Sequence, residues 1–162
     1  MRRVKTYNLN TVPGLLRRIR AKPQPSRPQR QTSMKLQPDK SSVPLVRACD
    51  SRSIQIDQWQ FDGSVIVSSL QGQAPQRWAP RHVGEWQAEH LAALAHAGAE
   101  LVILGTGPRL VFPPPAWLAP FAQQRVGLET MDTAAACRTY NVLASEGRKV
   151  IAALLLDPAQ VA

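Results

Sequence analysis

The chain is poor in the residues that build metal centres and cross-linked frameworks: 162 residues contain two cysteines, Cys49 and Cys137, and no CxxC pair. That spacing indicates neither a zinc site nor a disulfide scaffold, and it fits a reducing compartment. His82, His90 and His96 show no ligand spacing, since the latter two fall on different sides of a helix, and they read as surface or half-buried residues. No apolar run approaches the roughly 20 residues that a membrane span needs. The first thirty residues also lack the continuous apolar stretch of a secretory leader. GxSxG, HExxH and P-loop patterns are missing, so the better-known hydrolase and kinase chemistries lack their parts. No residue is assigned a catalytic role, a metal or a cofactor.

Acidic residues are absent from positions 1–33, which carry nine of the twenty Lys and Arg. The remaining eleven basic residues are matched by all eleven acidic ones, so the net charge of +9 resides in the N-terminal arm. A neutral folded part has no charge excess to condense on phosphates, which argues against specific nucleic-acid binding. Lys22 to Gln31 is dominated by Pro, Gln, Arg and Ser and cannot bury enough surface to offset the entropy of ordering. Residues 1–42 are therefore expected to be a disordered basic extension, and residues 43–162 a single α/β domain. Val12, Leu15, Leu16 and Ile19 fall at helical spacing beside arginines, as in a membrane-surface or transit segment. A second natural start at Met34 supplies the competing reading, an extension outside the working protein.

From Val43 the pattern is that of a folded domain, long enough to hide about 68–70% of its unfolded surface. Ile54 and Ile56 alternate with polar residues, and Trp59 and Phe61 resume in the opposite phase, which places a turn or bulge at Asp57 and Gln58. Ser64 to Leu70 reads as a third short strand. Trp86, Leu91, Leu94 and Ala95 recur with helical period, ending at Gly98. Leu101 to Leu104 and Val150 to Leu156 are apolar at every position, as expected of central strands covered on both faces. Between them the sequence predicts a short helix at 117–124 with an awkward Pro120, a strand at 126–130, and a helix from Thr133 to Glu146 ended by Gly147. Strand, helix, strand, helix, strand is the order that crossovers turn into a parallel sheet.

Asp132 suits the N-cap of the last helix, and Ala134, Ala135, Ala136 and Cys137 keep its first turns thin enough to approach the sheet. Cys137, a turn inside the helix among alanines, reads as a core residue. Arg138 and Asn141 are three apart and share a different face, expected near the strand ends where open α/β sheets bind ligands. Asp132 or Glu129 with Arg138 is either an acid/base pair or an ordinary ion pair. Gly105-Thr106-Gly107 lacks the third glycine and following helix of a dinucleotide fingerprint. It reads as a tight turn needing positive φ, with a small anion or a partner's carboxylate on its amides as the functional alternative.

Gly105-Thr106-Gly107 after the apolar strand, Met131-Asp132-Thr133, the run Ala136-Cys137-Arg138-Thr139-Tyr140-Asn141-Val142-Leu143 and Glu146-Gly147-Arg148 carry a resemblance. Over residues 45–157 the chain resembles a domain-of-unknown-function family whose eukaryotic member is the mitochondrial NADH:ubiquinone oxidoreductase (complex I) assembly factor three, with uncharacterised prokaryotic relatives. The resemblance implies a three-layer α/β fold with a central mixed, largely parallel sheet and an N-terminal β-hairpin layer. It also implies assembly by protein contacts, without an established enzyme activity. Two functions follow. The first is a non-catalytic assembly or interaction protein whose rim of Gly105, Thr106, Gly107, Arg109, Asp132, Thr133, Arg138, Tyr140 and Asn141, with exposed Trp or Pro positions, docks a protein partner such as a respiratory-complex subunit. The second is a small-molecule or anion binder, or an enzyme of unknown reaction, using the same rim. The expected location is the cytoplasm, or the mitochondrial matrix in a eukaryote.

Overall fold

The computed structural model describes residues 43–157; the basic arm, its amphipathic segment, the second start at Met34 and residues 158–162 lie outside them. Strands β1 (Val46–Cys49), β2 (Ile54–Ile56) and β3 (Trp59–Phe61) form an antiparallel sheet in that order. The expected turn is there: Ile56 faces Trp59 across Asp57 and Gln58, and Asp57 takes φ 47°. Aspartate tolerates that left-handed conformation, and Arg47 holds its carboxylate at 2.8 Å. The predicted hairpin thus gains one strand, β1, joined to β2 by a turn in which Asp50 Oδ1 accepts the Arg52 and Ser53 N–H groups at 2.7 Å each. Those two bonds hold the Asp50 carboxyl below its usual range.

The central sheet contains β4 (Val65–Ser68), β5 (Gln76–Arg77), β6 (Leu101–Gly105), β7 (Gly127–Met131) and β8 (Val150–Leu154), in the order β5-β4-β8-β6-β7. β8, β6 and β7 are parallel, and toward the other edge β4 runs antiparallel to β8 and β5 antiparallel to β4. The two apolar runs lie side by side in the interior, with Leu101 opposite Val150 and Gly105 opposite Leu154. Two buried serines bracket the β4–β8 pair: Ser69 Oγ accepts the Val150 N–H at 2.8 Å and Ser64 Oγ accepts that of Leu156 at 2.9 Å.

Because side chains alternate across a strand, the sheet presents two apolar faces and three layers result. Val65, Val67, Ile103, Ala152 and Leu154 pack against helix α3 (Thr133–Ser145) and the small sheet. Val102, Leu104, Ile151, Ala153 and Leu155 pack against α1 (Ala88–Ala95), α2 (Ala119–Gln124) and the flanking Trp78 and Trp86.

Local chemistry explains the departures from expectation. Trp86 lies before α1, at the end of a 3₁₀ turn over Val83–Glu85. It is buried all the same, and its indole N–H has no partner among the described residues. Pro120 is no obstacle, because α2 begins at Ala119 and places the proline in its first turn, where the N–H has no helical partner to lose. Close packing of α3 needs Gly105: a Cβ there would stand 3.1 Å from Ala136 Cβ, Leu154 Cδ2 and Thr133 Cα.

Candidate functional site

The Gly-Thr-Gly bend and the entrance to α3 meet at the ends of β6, β7 and β8, and Thr133 joins them. Its N–H donates to the Gly107 carbonyl at 2.8 Å. Its hydroxyl accepts the Gly107 N–H at 2.8 Å and donates to the Leu155 carbonyl at 2.8 Å. Leu155 in turn donates its N–H to the Gly105 carbonyl at 2.8 Å. Gly107 takes φ +89°, the left-handed turn that the sequence predicts and that favours glycine. Asp132 caps α3 as expected, its Oδ1 accepting the Ala135 N–H at 2.8 Å.

Thr106 controls the next segment. Its N–H donates to the Met131 carbonyl at 2.9 Å, while its buried hydroxyl reaches the Arg109 and Met131 carbonyls and accepts the Val111 N–H at 3.2 Å. The amides of Thr106 and Gly107 are therefore both engaged within the protein. Pro108 has none to offer.

The predicted rim separates into three groups. Gly107, Asp132 and Thr133 line a cleft of about 330 Å³ together with Cys49, Pro108 and Leu155. Thr106, Gly107 and Arg109 line a second one, about 470 Å³, with Arg81, His82 and Asp157. Tyr140 and Asn141 belong to neither, because both hold β1. Asn141 Oδ1 accepts the Val46 N–H at 2.9 Å and its Nδ2 donates to the Val46 carbonyl at 2.7 Å. The fully buried Tyr140 hydroxyl donates to the Pro44 carbonyl at 2.9 Å, and desolvation pushes its pKa well above the ordinary 10.0. Arg138 is exposed and makes no ion pair with Asp132 or Glu129. A larger cleft, about 640 Å³, opens on the far face between α1 and β4, where the His90 ring meets Trp78 edge-on at 6.4 Å. It lies away from the strand ends and from every predicted site residue.

Histidines at 82, 90 and 96 serve local turns: His82 Nδ1 accepts the Gly84 N–H, His90 Nδ1 that of Gln87, and His96 Nδ1 contacts the Ala92 carbonyl. Among the described residues no cluster of His, Cys, Asp and Glu is arranged to hold a metal ion. No helix of the described residues is long and apolar enough to cross a membrane.

Two features escaped the sequence reading. The first is the loop after the bend, where Leu110 is 50%, Val111 39% and Phe112 72% exposed, followed by the buried Pro113 and the exposed Pro114. Its signal was an apolar triplet placed against three prolines, outside any periodic element. The second is Cys49, which lines the 330 Å³ cleft and packs on the core cluster behind it.

A model of the family described as "Protein of unknown function (DUF498/DUF598)" matches residues 46–155, covering all three layers and the strand-end bend. The chain belongs to this family. A curated Xenopus tropicalis relative named NADH dehydrogenase [ubiquinone] 1 alpha subcomplex assembly factor 3 is 30% identical over 135 residues, which span 80% of this chain and 70% of the relative. Among solved structures, a Bordetella parapertussis protein superposes with a TM-score of 0.65 at 32% identity, covering 72% of this chain and 98% of that one. A Bordetella pertussis protein described as an Mth938-like domain gives a TM-score of 0.61 at 29% identity, covering 74% of this chain and 89% of that one.

Proposed function

We propose that this DUF498/DUF598 protein is a non-catalytic assembly factor that docks a protein partner, a respiratory-complex subunit or a fellow assembly protein, on the strand-end face around Phe112. The observation that carries this reading is the run of three consecutive exposed apolar side chains, Leu110, Val111 and Phe112. Single exposed apolar residues are ordinary, but a contiguous patch rimmed by polar groups is what protein interfaces use. The patch is also held in place: Thr106 ties both Arg109 and Val111, and Pro113 is buried beside it. A loop fixed beforehand loses less entropy on binding. Arg109 and Arg81 supply a charged border, as in the polar rim of an interface. Gly105, Thr106, Gly107, Asp132 and Thr133 frame the face, while Tyr140 and Asn141 stabilise the scaffold behind it. The partner class comes from the name of the Xenopus relative. In this reading the basic residues 1–42 extend a single domain at 43–162, which works in the cytoplasm or the mitochondrial matrix.

The small-molecule alternative has less support, because the amides an anion needs are already bonded to Met131 and Thr133. Affinity capture of the full chain from native cells, with wild type, Phe112→Asp and Val142→Asp compared, tests the proposal. Val142 is 57% exposed on α3 and serves as an apolar surface control. The expected result is a respiratory subunit or assembly protein recovered with wild type and Val142→Asp and lost with Phe112→Asp. Recovery of the same proteins with all three, or of no respiratory protein in repeated captures, overturns it.

A further inference from the structure

The strand-end face carries charge of opposite sign on its two sides. Gly107 and Pro108, with Leu155 and Asp157, line both of its clefts and stand as a ridge between them. On one side the 330 Å³ cleft adds Asp50 and Asp132 and no lysine or arginine. On the other side the 470 Å³ cleft adds Arg81, Arg109 and His82, with Asp157 the one acidic residue of its lining. Val111, the middle residue of the exposed apolar run, lines this second cleft as well. An apolar contact point and two guanidinium groups therefore share one depression.

Both arginines are fixed at the backbone and unengaged at the charge. Glu85 Oε2 accepts the Arg81 N–H at 2.8 Å, and the Thr106 hydroxyl donates to the Arg109 carbonyl. Arg47, Arg77 and Arg148 pair with the carboxylates of Asp57, Asp62 and Glu100. Neither Arg81 nor Arg109 makes such a pair among the described residues.

We propose that the partner segment on the docking face is acidic as well as apolar: its hydrophobic side chain covers Leu110 to Phe112, and a neighbouring aspartate or glutamate enters the cleft of Arg81 and Arg109. The charge requirement rests on the docking face at Phe112 and specifies what that face selects. A guanidinium presents parallel N–H donors that match a carboxylate. Recognition through side chains leaves the amides of Thr106 and Gly107 in the bonds they already make. Across the ridge a carboxylate would stand against Asp50 and Asp132, so the two clefts also set which way round the segment lies. Residues 1–33 of the chain itself hold no acidic side chain and supply no carboxylate for the cleft.

The test is selection of a random peptide library on the full chain. Enriched peptides are then titrated, as synthetic probes, against wild type, Phe112→Ala, Arg81→Glu and Arg109→Glu. The expected peptides carry an aspartate or glutamate within a few positions of an aromatic or aliphatic anchor. Their Kd should rise about tenfold with Phe112→Ala and about tenfold with each arginine reversal, and binding should weaken as salt screens the pair. Arg81→Gln and Arg109→Gln, with smaller losses in the same direction, replace a reversal that disturbs folding. Peptides that need Phe112 yet bind every arginine variant like wild type leave the docking face standing and overturn the acidic requirement, as do basic or uncharged peptides. Peptides indifferent to Phe112→Ala overturn the docking face itself, and this proposal with it. A selection that enriches nothing overturns the proposal, while capture from native cells still judges the face. A dimer in sedimentation that Arg81→Glu dissociates also overturns it, because a second copy then fills the cleft.

Discussion

Replacing Asn141 by alanine removes the two hydrogen bonds through which α3 holds β1. The side-chain amide acts as a substitute for a neighbouring strand: it satisfies both the N–H and the carbonyl of Val46, at 2.9 and 2.7 Å, on an edge strand whose other neighbour is β2. Each bond contributes about 1 kcal/mol, and the loss grows when a partly buried backbone group is left unpaired, so Asn141→Ala should cost about 2–3 kcal/mol. At roughly 4 °C per kcal/mol for a domain of this size, the Tm falls by about 8–12 °C. Urea and thermal unfolding followed by far-UV circular dichroism give both numbers. Asn141→Asp adds a pH signature. An ionised carboxylate still accepts the Val46 N–H but faces the Val46 carbonyl without a proton to donate, so its folded pKa rises above the ordinary value of about 3.9. The deficit relative to wild type is then fully present above that raised pKa and shrinks as pH falls through it. Asn141→Ala within about 0.5 kcal/mol of wild type, or an Asn141→Asp deficit that grows on acidification, refutes the clamp.

Thr133→Val strands the Gly107 N–H and the Leu155 carbonyl; a loss of about 2–3 kcal/mol is expected in urea titration, with amide exchange accelerated at Gly107. Tyr140 is buried neutral and titrates higher in the fold than its ordinary 10.0. The native state therefore binds more protons than the unfolded chain above that value, and stability declines as pH rises beyond about 10. Tyr140→Phe should cost about 1 kcal/mol at neutral pH, through the Pro44 bond, and flatten that alkaline decline, measured as urea midpoints between neutral pH and the alkaline limit. Phe112→Asp, at a side chain that is mostly exposed, should leave Tm unchanged within the equivalent of about 0.5 kcal/mol.

The two central strands were legible because an all-apolar run of four to seven residues has no solvent face, and β6 and β8 pair in register. The last helix was legible for a different reason: Asp132 at its start and Gly147, at φ +80°, past its end are chemical punctuation that needs no tertiary context. The site was harder. Asn141 looked like a binding residue because it shares a helix face with Arg138, expected near the strand ends, but its partner is the main chain of Val46, and backbone atoms leave no mark in a sequence. Cys49 shares no local pattern with the bend, and only the folding of the small sheet onto α3 brings it to the cleft beside Asp132 and Gly107. Leu110 to Phe112 has a core-like composition, and its exposure is set by Thr106, which turns the chain outward through its own hydroxyl.

The docking face is tested most directly by placing a photoreactive phenylalanine analogue at position 112 of the full chain and irradiating native cells. The account predicts a discrete covalent adduct with one respiratory subunit or assembly protein, absent when the same group stands at the exposed Gln123 on α2. Equal labelling from both positions, or no protein adduct at 112, contradicts it.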